Sequence, residues 1–126
     1  MITFKSEVLY TRSNEWAQKI DDVVRVGIDD YSQSSLGDIV HVEVSAPPSR
    51  VTAGKPFGSI EATKSVCDIV SPVSGVILRV NDEVLKSPQL INSDPFGEGW
   101  IAEIAPDDES ELGRLMSPEA YKNFIR

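Results

Sequence analysis

The chain has few of the residues from which most catalytic and metal sites are built. Its 126 residues contain one cysteine, Cys67, and one histidine, His41. A single cysteine excludes an intrachain disulfide, and no Cys-x-x-Cys or His-x-x-x-His spacing of a zinc site occurs. The eight glycines are scattered at predicted turns and form no phosphate-binding loop. The sequence therefore gives little support to a catalytic site built from these residue types.

The lone histidine and the lone cysteine both have structural interpretations. His41 lies between two valines in an alternating pattern, which predicts a surface or edge position on a strand. Cys67 lies between Val66 and Asp68 in a predicted strand, which is typical of a buried thiol rather than of a nucleophile.

Positive charge is also scarce. The chain has 12 Lys and Arg residues against 20 Asp and Glu residues, for a net charge of −8. Binding to nucleic acid or to an anionic membrane requires a basic surface, so this balance argues against both. No apolar run approaches the roughly 18 residues of a membrane span, and the N-terminus resembles neither a secretory signal nor an arginine-rich transit peptide. We expect a cytoplasmic protein, or a mature organellar protein whose presequence has been removed.

The chain contains a succession of short sequence patterns that are typical of β-strands. Its length of 126 residues fits one domain. Alternating apolar and β-branched positions predict strands, and turn residues separate them. Residues 15–28 predict a hairpin around Asp21-Asp22, and Asp29 or Asp30 caps a short helix that ends at Gly37. Further strands are predicted at residues 38–44, 56–62, 65–75, 75–81 and 100–105. Residues 45–55 and 85–99 are predicted loops.

The C-terminal part differs, because residues 107–125 predict two helical segments. Asp108 and Glu111 resemble a capping box, and Ser117 with Pro118 is typical of a helix start. The apolar face of these segments would consist of Leu112, Leu115, Met116, Tyr121 and Phe124. The prediction is a mainly β fold, a small barrel or sandwich, with helices at the C-terminal end.

Lys64 occupies a special position in this pattern. It lies with Thr63 at the predicted tip between two strands, and Glu61 and Asp68 flank it. An ordinary exposed lysine in a turn is one interpretation. The other is a residue that a second enzyme reaches and modifies, because a side chain at such a tip projects away from the body of the fold. A Schiff-base lysine is not favoured, since it needs a dry pocket.

The segment FGSIEATKSVCDIVSPVSGVILRVND, residues 57–82, resembles the lipoyl-attachment segment of the glycine cleavage system H protein family. The blocks LYTRSNEW, VRVGIDDYSQSSLGDIVHVEV, SPQLINSDPFGEGW and SPEAYKNF also resemble that family in order and spacing. The resemblance implies a single lipoyl-carrier domain over residues 1–126, with the lipoyl hairpin at about 57–72 and a helical part at about 107–125. The implied fold is mainly β, a lipoyl/biotinyl-type barrel-sandwich hybrid of two antiparallel sheets, with a short helix after the first hairpin.

The function that the resemblance implies is a non-catalytic carrier with lipoic acid amide-linked to Lys64. Such a carrier takes an aminomethyl group from the pyridoxal-phosphate glycine decarboxylase to the tetrahydrofolate-dependent aminomethyltransferase. It then passes electrons to the flavin (FAD) enzyme dihydrolipoyl dehydrogenase. A lipoyl- or octanoyl-transferring enzyme attaches the group, and we expect the carrier to be a monomer.

The resemblance also implies roles for four residues near the lysine. Ser13, Glu15 and Asp68 match positions of a surface cleft that shelters the loaded arm. Glu61 and Asp68 are expected to help the modifying enzyme recognise the hairpin. The chain departs from the family at Asn14, where a histidine is usual, and at Ser35, where some relatives have one.

Three alternatives stay open at this point. The first is an H-like lipoate carrier for another route, such as lipoyl relay or sulfur oxidation. The second is biotin carriage on the same architecture, although biotinyl domains typically flank the lysine with methionines and Thr63 and Ser65 stand here. The third is a stand-alone enzyme that uses Cys67.

Overall fold

The computed structural model describes residues 2–125, which form nine strands, four short α-helices and one 3-10 helix. The strands are β1 (Leu9–Tyr10), β2 (Glu15–Ile20), β3 (Val23–Ile28), β4 (Ile39–Val44), β5 (Ser49–Val51), β6 (Pro56–Ala62), β7 (Val66–Val70), β8 (Gly75–Val80) and β9 (Ala102–Pro106). The α-helices are α1 (Asp30–Leu36), α2 (Asp82–Lys86), α3 (Leu90–Ser93) and α4 (Pro118–Phe124), and the 3-10 helix is Glu109–Arg114. Within the described residues, no helix has the length and apolar character needed to cross a membrane.

The strands form two antiparallel sheets that enclose one main core. The larger sheet has the order β1-β2-β3-β9-β8-β5 and the smaller has the order β4-β6-β7. In the larger sheet Val24, Ile104 and Ile77 lie opposite one another across three strands, and all three are fully buried. Ile60 and Ile69 of the smaller sheet are also fully buried in this core. The alternation of apolar and polar residues in the sequence thus corresponds to side chains that face the core and the solvent in turn.

An aromatic cluster forms a second, smaller core. Tyr10, Trp16 and Tyr121 are fully buried there, and the Tyr10 and Tyr121 rings stack with their centroids 4.4 Å apart. Gly27, opposite Trp16 in the β2–β3 hairpin, leaves room for the indole, because a Cβ at this position would lie 2.7 Å from its ring atoms. This cluster holds α4 against the start of the chain.

The structure differs from the sequence-based prediction in the two segments that were expected to be loops. Residues 45–55 contain β5, which pairs with β8, and residues 85–99 contain the last two residues of α2 and all of α3. Asn81 begins α2 by accepting a hydrogen bond from the Glu83 N–H at 3.2 Å. These elements have three to five residues each, so local sequence patterns are too short to reveal them. Strand β1 was also not predicted.

The C-terminal predictions are correct for α4 and partly wrong before it. Ser117 caps α4 by accepting from the Ala120 N–H, and Pro118 takes the first position. The preceding segment is a 3-10 helix, and Glu111 makes no reciprocal cap because its carboxylate accepts from the Ser74 N–H at 2.9 Å. Phe124 was expected on the buried face but is 46% exposed.

The β7 strand offers a matched test of the core. Ile69 is fully buried and Val66 on the same strand is 67% exposed. Ile69→Ala should lower the free energy of unfolding by about 2–5 kcal/mol, because it removes packed methyl groups and leaves a cavity. Val66→Ala should change it by less than about 0.5 kcal/mol. Urea unfolding of both variants checks the prediction, and equal losses would contradict the assigned burial.

Candidate functional site

Lys64 lies at the end of the β6–β7 hairpin. The Ala62 N–H donates to the Ser65 carbonyl at 2.8 Å, which closes the turn around Thr63 and Lys64. The Thr63 N–H donates to the Asp38 carbonyl at 3.1 Å, so the turn is attached to the chain just before β4. Thr63, Lys64 and Ser65 are all exposed. The predicted tip is therefore an exposed turn with a hydrogen-bonded base.

Glu61 and Asp68 both lie on the outward face of the smaller sheet. Glu61 is opposite Val66 in β7 and opposite His41 in β4, while Asp68 lies two residues beyond Val66 and is therefore on the same face. All of these side chains are exposed, which confirms the surface position predicted for His41. The hairpin thus presents carboxylates on both of its strands.

A cleft of about 550 Å³ lies beside β7, between α1 and the turn that precedes β2. Three of the sequence-predicted residues, Ser13, Glu15 and Asp68, are in its lining, whereas Glu61 is not. Ser32, Ser35 and Cys67 also line it. The fold therefore brings together residues that are more than 50 positions apart in the sequence.

Glu15 is the most constrained side chain of this cleft. It is 1% exposed, and its Oε1 accepts hydrogen bonds from the Thr11 hydroxyl at 2.5 Å and the Ser13 hydroxyl at 2.6 Å. Its Oε2 accepts from the Val70 N–H at 3.0 Å. Burial raises the pKa of Glu15, and the hydrogen bonds oppose that rise. A carboxylate has about four acceptor positions, so one position on Oε2 is free of these bonds.

Asn14 connects the cleft to the C-terminal helix, a role that no sequence pattern indicated. Its φ of +74° places it in the left-handed region, which asparagine tolerates better than most residues. Its carbonyl accepts from the Asp29 N–H at 3.1 Å, and its side-chain Oδ1 accepts from the Tyr121 hydroxyl at 2.8 Å. Asn14 thereby links β2, α1 and α4 at one point.

Asp29 begins α1, the helix that forms one wall of the cleft. Its Oδ1 accepts from the Ser32 N–H at 2.7 Å, as the predicted cap requires, and its side chain is almost fully buried. Its Oδ2 is buried without a hydrogen-bond partner among residues 2–125. Burial raises the pKa of Asp29 to about 6, since the charged form lacks solvent around this oxygen.

Cys67 is only half-buried, which corrects the prediction of a fully buried thiol. The correction has a simple cause, since β7 is an edge strand and Cys67 lines the cleft beside it. Burial raises the pKa of Cys67, and the carboxylates of Glu15 and Asp68 raise it further. The thiol is therefore protonated at neutral pH, which is unfavourable for a nucleophile. Within the described part of the chain, no group of three or more His, Cys, Asp or Glu side chains is placed to hold a metal ion.

The chain is similar in sequence to proteins of one known family. The family model described as glycine cleavage H-protein matches residues 8–126. The chain belongs to the glycine cleavage H-protein family. Proteins of this family bind lipoate and act as a carrier component of a multienzyme system, and this chain is a lipoyl carrier of the glycine cleavage system.

Individual relatives agree with the family model over almost the full length. The glycine cleavage system H protein of Mycobacterium tuberculosis is 45% identical, and the match covers 99% of this chain and 98% of that protein. The H protein of Carboxydothermus hydrogenoformans is 39% identical, with 99% and 96% covered. The crystal structure of the H protein from Mycobacterium marinum superposes with a TM-score of 0.89 at 32% identity, covering 95% of this chain and 97% of that one. The resemblance and the lipoyl-type fold inferred from the sequence are therefore confirmed.

The position of Asp29 predicts a pH-dependent stability. The pKa of this carboxyl is about 6 in the folded protein and about 3.9 when unfolded, so between these values the folded state binds more protons. Stability should then fall as the pH rises from about 4 to about 6, by on the order of 2–3 kcal/mol. Asp29→Asn should remove this fall, because asparagine does not titrate and still caps α1.

Urea unfolding at a series of pH values measures the effect. The wild type should lose stability relative to Asp29→Asn across this window, whereas Asp21→Asn, in the exposed β2–β3 turn, should follow the wild type. Parallel curves for the wild type and Asp29→Asn would refute the prediction.

Proposed function

We propose that Lys64 carries the lipoyl group with which this chain serves the glycine cleavage system. The observation that carries the proposal is the exposed position of Lys64 at the end of the β6–β7 hairpin, three residues from a cleft-lining side chain. A modifying enzyme can reach this amine without unfolding any part of the protein. The cleft itself has the volume of a small-molecule site.

The work of the chain is to present this lysine. When bound, the lipoyl group supplies the group-transfer and redox chemistry, which the protein itself does not perform. Ile60 and Ile69 fix the base of the hairpin in the core, and the hydrogen bond from Thr63 to Asp38 fixes its end. A lysine on such a support keeps its attached cargo at high effective concentration near a bound partner.

The chain's proposed role is non-catalytic, and its partners follow from the system. We propose that glycine decarboxylase, the aminomethyltransferase and dihydrolipoyl dehydrogenase bind it in turn, and that a lipoyl- or octanoyl-transferring enzyme loads it. The state of the cleft supports the non-catalytic role, because three donors already engage Glu15 and the pKa of Cys67 is raised. The relatives named above are bacterial, which supports a cytoplasmic location.

The exposed carboxylates are proposed to act in recognition. Glu61 and Asp68 flank Lys64 on one face of the hairpin, where the enzyme that attaches the lipoyl group must approach. Their contribution to folding is expected to be small, because exposed charges typically contribute under about 1 kcal/mol. A recognition role is consistent with their exposure, since neither residue has an ion-pair partner among the described residues.

The cleft is proposed to shelter the cationic aminomethyl cargo. Glu15 can contribute the acceptor position that its internal hydrogen bonds leave free, and Ser13 and Asp68 lie in the same lining. A charge-assisted hydrogen bond to a carboxylate is stronger than a neutral one, and more so where water is excluded. The same residues therefore serve the fold and the retention of cargo.

The attachment site is tested by mass spectrometry. After co-expression with a lipoyl-attaching enzyme, the wild type should gain one lipoyl group and Lys64→Arg should gain none, because arginine keeps the charge but lacks the primary amine. Lys55→Arg and Lys86→Arg are matched controls on exposed lysines and should be modified like the wild type. A lipoyl group mapped to a peptide with Lys55 or Lys86 would disprove the assignment.

The shelter is tested with Glu15→Gln, which keeps the shape of the side chain, removes its charge and replaces one acceptor oxygen with an NH2 donor, so thermal melting first shows that the variant is folded. The measurement is the release of ammonia and formaldehyde from the aminomethyl-loaded carrier in the absence of the aminomethyltransferase. The release rate should rise by about 10-fold if only about 1.4 kcal/mol of stabilisation is lost. Attachment at Lys64 should be unchanged. Glu119→Gln makes the same change at an exposed position outside the cleft and should release at the wild-type rate. Equal rates for the wild type and Glu15→Gln would show that Glu15 does not retain the cargo.

A further inference from the structure

A second cleft, which we call the arginine cleft, lies at the end of β7 away from the hairpin turn. It has a volume of about 520 Å³, and its lining includes Arg12, Ser71, Arg114, Leu115 and Met116. It shares two lining residues with the cleft that contains Glu15. The two clefts are therefore neighbours along the same strand edge.

The two neighbouring clefts carry opposite charge. The first is lined by Glu15 and Asp68, whereas no aspartate or glutamate occurs among the described residues that line the arginine cleft. Its two cations are Arg12 and Arg114. In a chain with a net charge of −8, a lining with two arginines and no carboxylate concentrates positive charge, although Asp108 lies near enough to Arg114 that this cation, after the hydrogen bonds from Ser110, lowers its pKa.

These two arginines also differ from the others that the structure describes. Arg25 and Arg79 pair with Glu103, each at 2.8 Å, and Arg50 pairs with Asp107. By contrast, neither Arg12 nor Arg114 forms an ion pair or donates a side-chain hydrogen bond within residues 2–125. The guanidinium of Arg12 lies 5.9 Å from the centroid of the Phe124 ring, a contact that leaves its N–H donors free. Both guanidinium groups can therefore bind a carboxylate from outside, in the fork geometry that arginine favours.

Three backbone N–H groups of the arginine cleft already donate hydrogen bonds within the fold and are not free to pair with a ligand. The Tyr10 N–H donates to Met116 at 2.9 Å, the Ser71 N–H donates to Lys55 at 3.0 Å, and the Val70 N–H donates to Glu15. The side chains of the two arginines are donors that remain available. Leu115 and Met116 are only partly buried and add apolar surface to the same lining.

We propose that the arginine cleft binds a segment of a partner protein that carries carboxylate side chains next to an apolar side chain. A small inorganic anion would gain little, because ion pairs in exposed positions are weak without further contacts. An apolar side chain of the partner that packs on Leu115 and Met116 removes apolar surface from water, which strengthens binding beyond the ion pairs. Arginine is also among the residues that contribute most at protein interfaces. The proposal goes beyond the lipoyl function and does not depend on Lys64 being modified.

The test uses the full chain, labelled with nitrogen-15, and the probe peptide acetyl-Gly-Glu-Leu-Glu-Gly-amide. Titration followed by nuclear magnetic resonance should shift the Nε–H signals of Arg12 and Arg114 and the amide signal of Leu115, with a Kd on the order of 1 mM. The same peptide with lysine in place of glutamate should cause no such shifts. Binding should weaken several-fold when the salt concentration rises from about 0.05 M to about 0.5 M.

Variants separate the cleft from overall charge. The double variant Arg12→Gln with Arg114→Gln should bind the probe peptide about 10-fold more weakly, which corresponds to about 1.4 kcal/mol. Arg50→Gln removes an exposed arginine outside the cleft and should bind like the wild type. Thermal melting of each variant confirms that it is folded.

Three outcomes would overturn the proposal. The first is no shift at these signals at peptide concentrations of several times the expected Kd. The second is equal weakening by Arg50→Gln, which would mean that net charge alone attracts the probe. The third is that acetate at the same carboxylate concentration reproduces the shifts and displaces the peptide, which would identify a simple anion site. None of these outcomes would affect the assignment of Lys64.

Discussion

The hydrogen bond from the Val70 N–H to the buried Glu15 carboxylate is the contact on which the arrangement of the site depends. Glu15 begins β2 of the larger sheet, and Val70 ends β7 of the smaller sheet, so this bond joins the two sheets across 55 positions of sequence. The same carboxylate accepts from Thr11 and Ser13, which fixes the turn before β2. Without this point of attachment, the edge strand that follows Lys64 would have no polar link to the larger sheet at its end.

Burying the Glu15 carboxylate costs desolvation free energy, which its hydrogen bonds partly offset. A buried carboxylate is disfavoured by several kcal/mol unless donors surround it, and here three donors do so. The pKa of Glu15 is nevertheless raised, because burial outweighs these bonds. Asp29, one strand away, is in a similar position with one oxygen unpartnered among the described residues. Both walls of the cleft therefore rest on carboxyl groups whose charged forms are less stable than in water.

The sequence predicted those elements whose signals are local. The alternation at residues 15–28 and 38–44 reports one buried face per strand, and Ser117 with Pro118 reports a helix start, so each needs only its own neighbours to be recognised. Strand β5 could not be predicted in this way, because three residues are defined as a strand only by their pairing with β8. The polar contacts of the site were equally out of reach. The bond of Asn14 to Tyr121 spans 107 positions, and Glu111 bonds to Ser74 instead of its own helix. The proposed role of Lys64 as an attachment point came from resemblance, because its exposed position at a hairpin tip shows only that another enzyme can reach the amine.

The short turn that holds Lys64 limits how enzymes can bind to the carrier one after another. Because Thr63 is bonded to Asp38 and Ala62 to Ser65, the turn itself contributes little movement. The reach of any attached group is then limited to a sphere around one fixed point. If Lys64 is the attachment point, two enzymes that act on the group cannot occupy that sphere together, and one must leave before the other binds. For a carrier built in this way, slow departure of one partner delays the next, which favours brief contacts over tight ones.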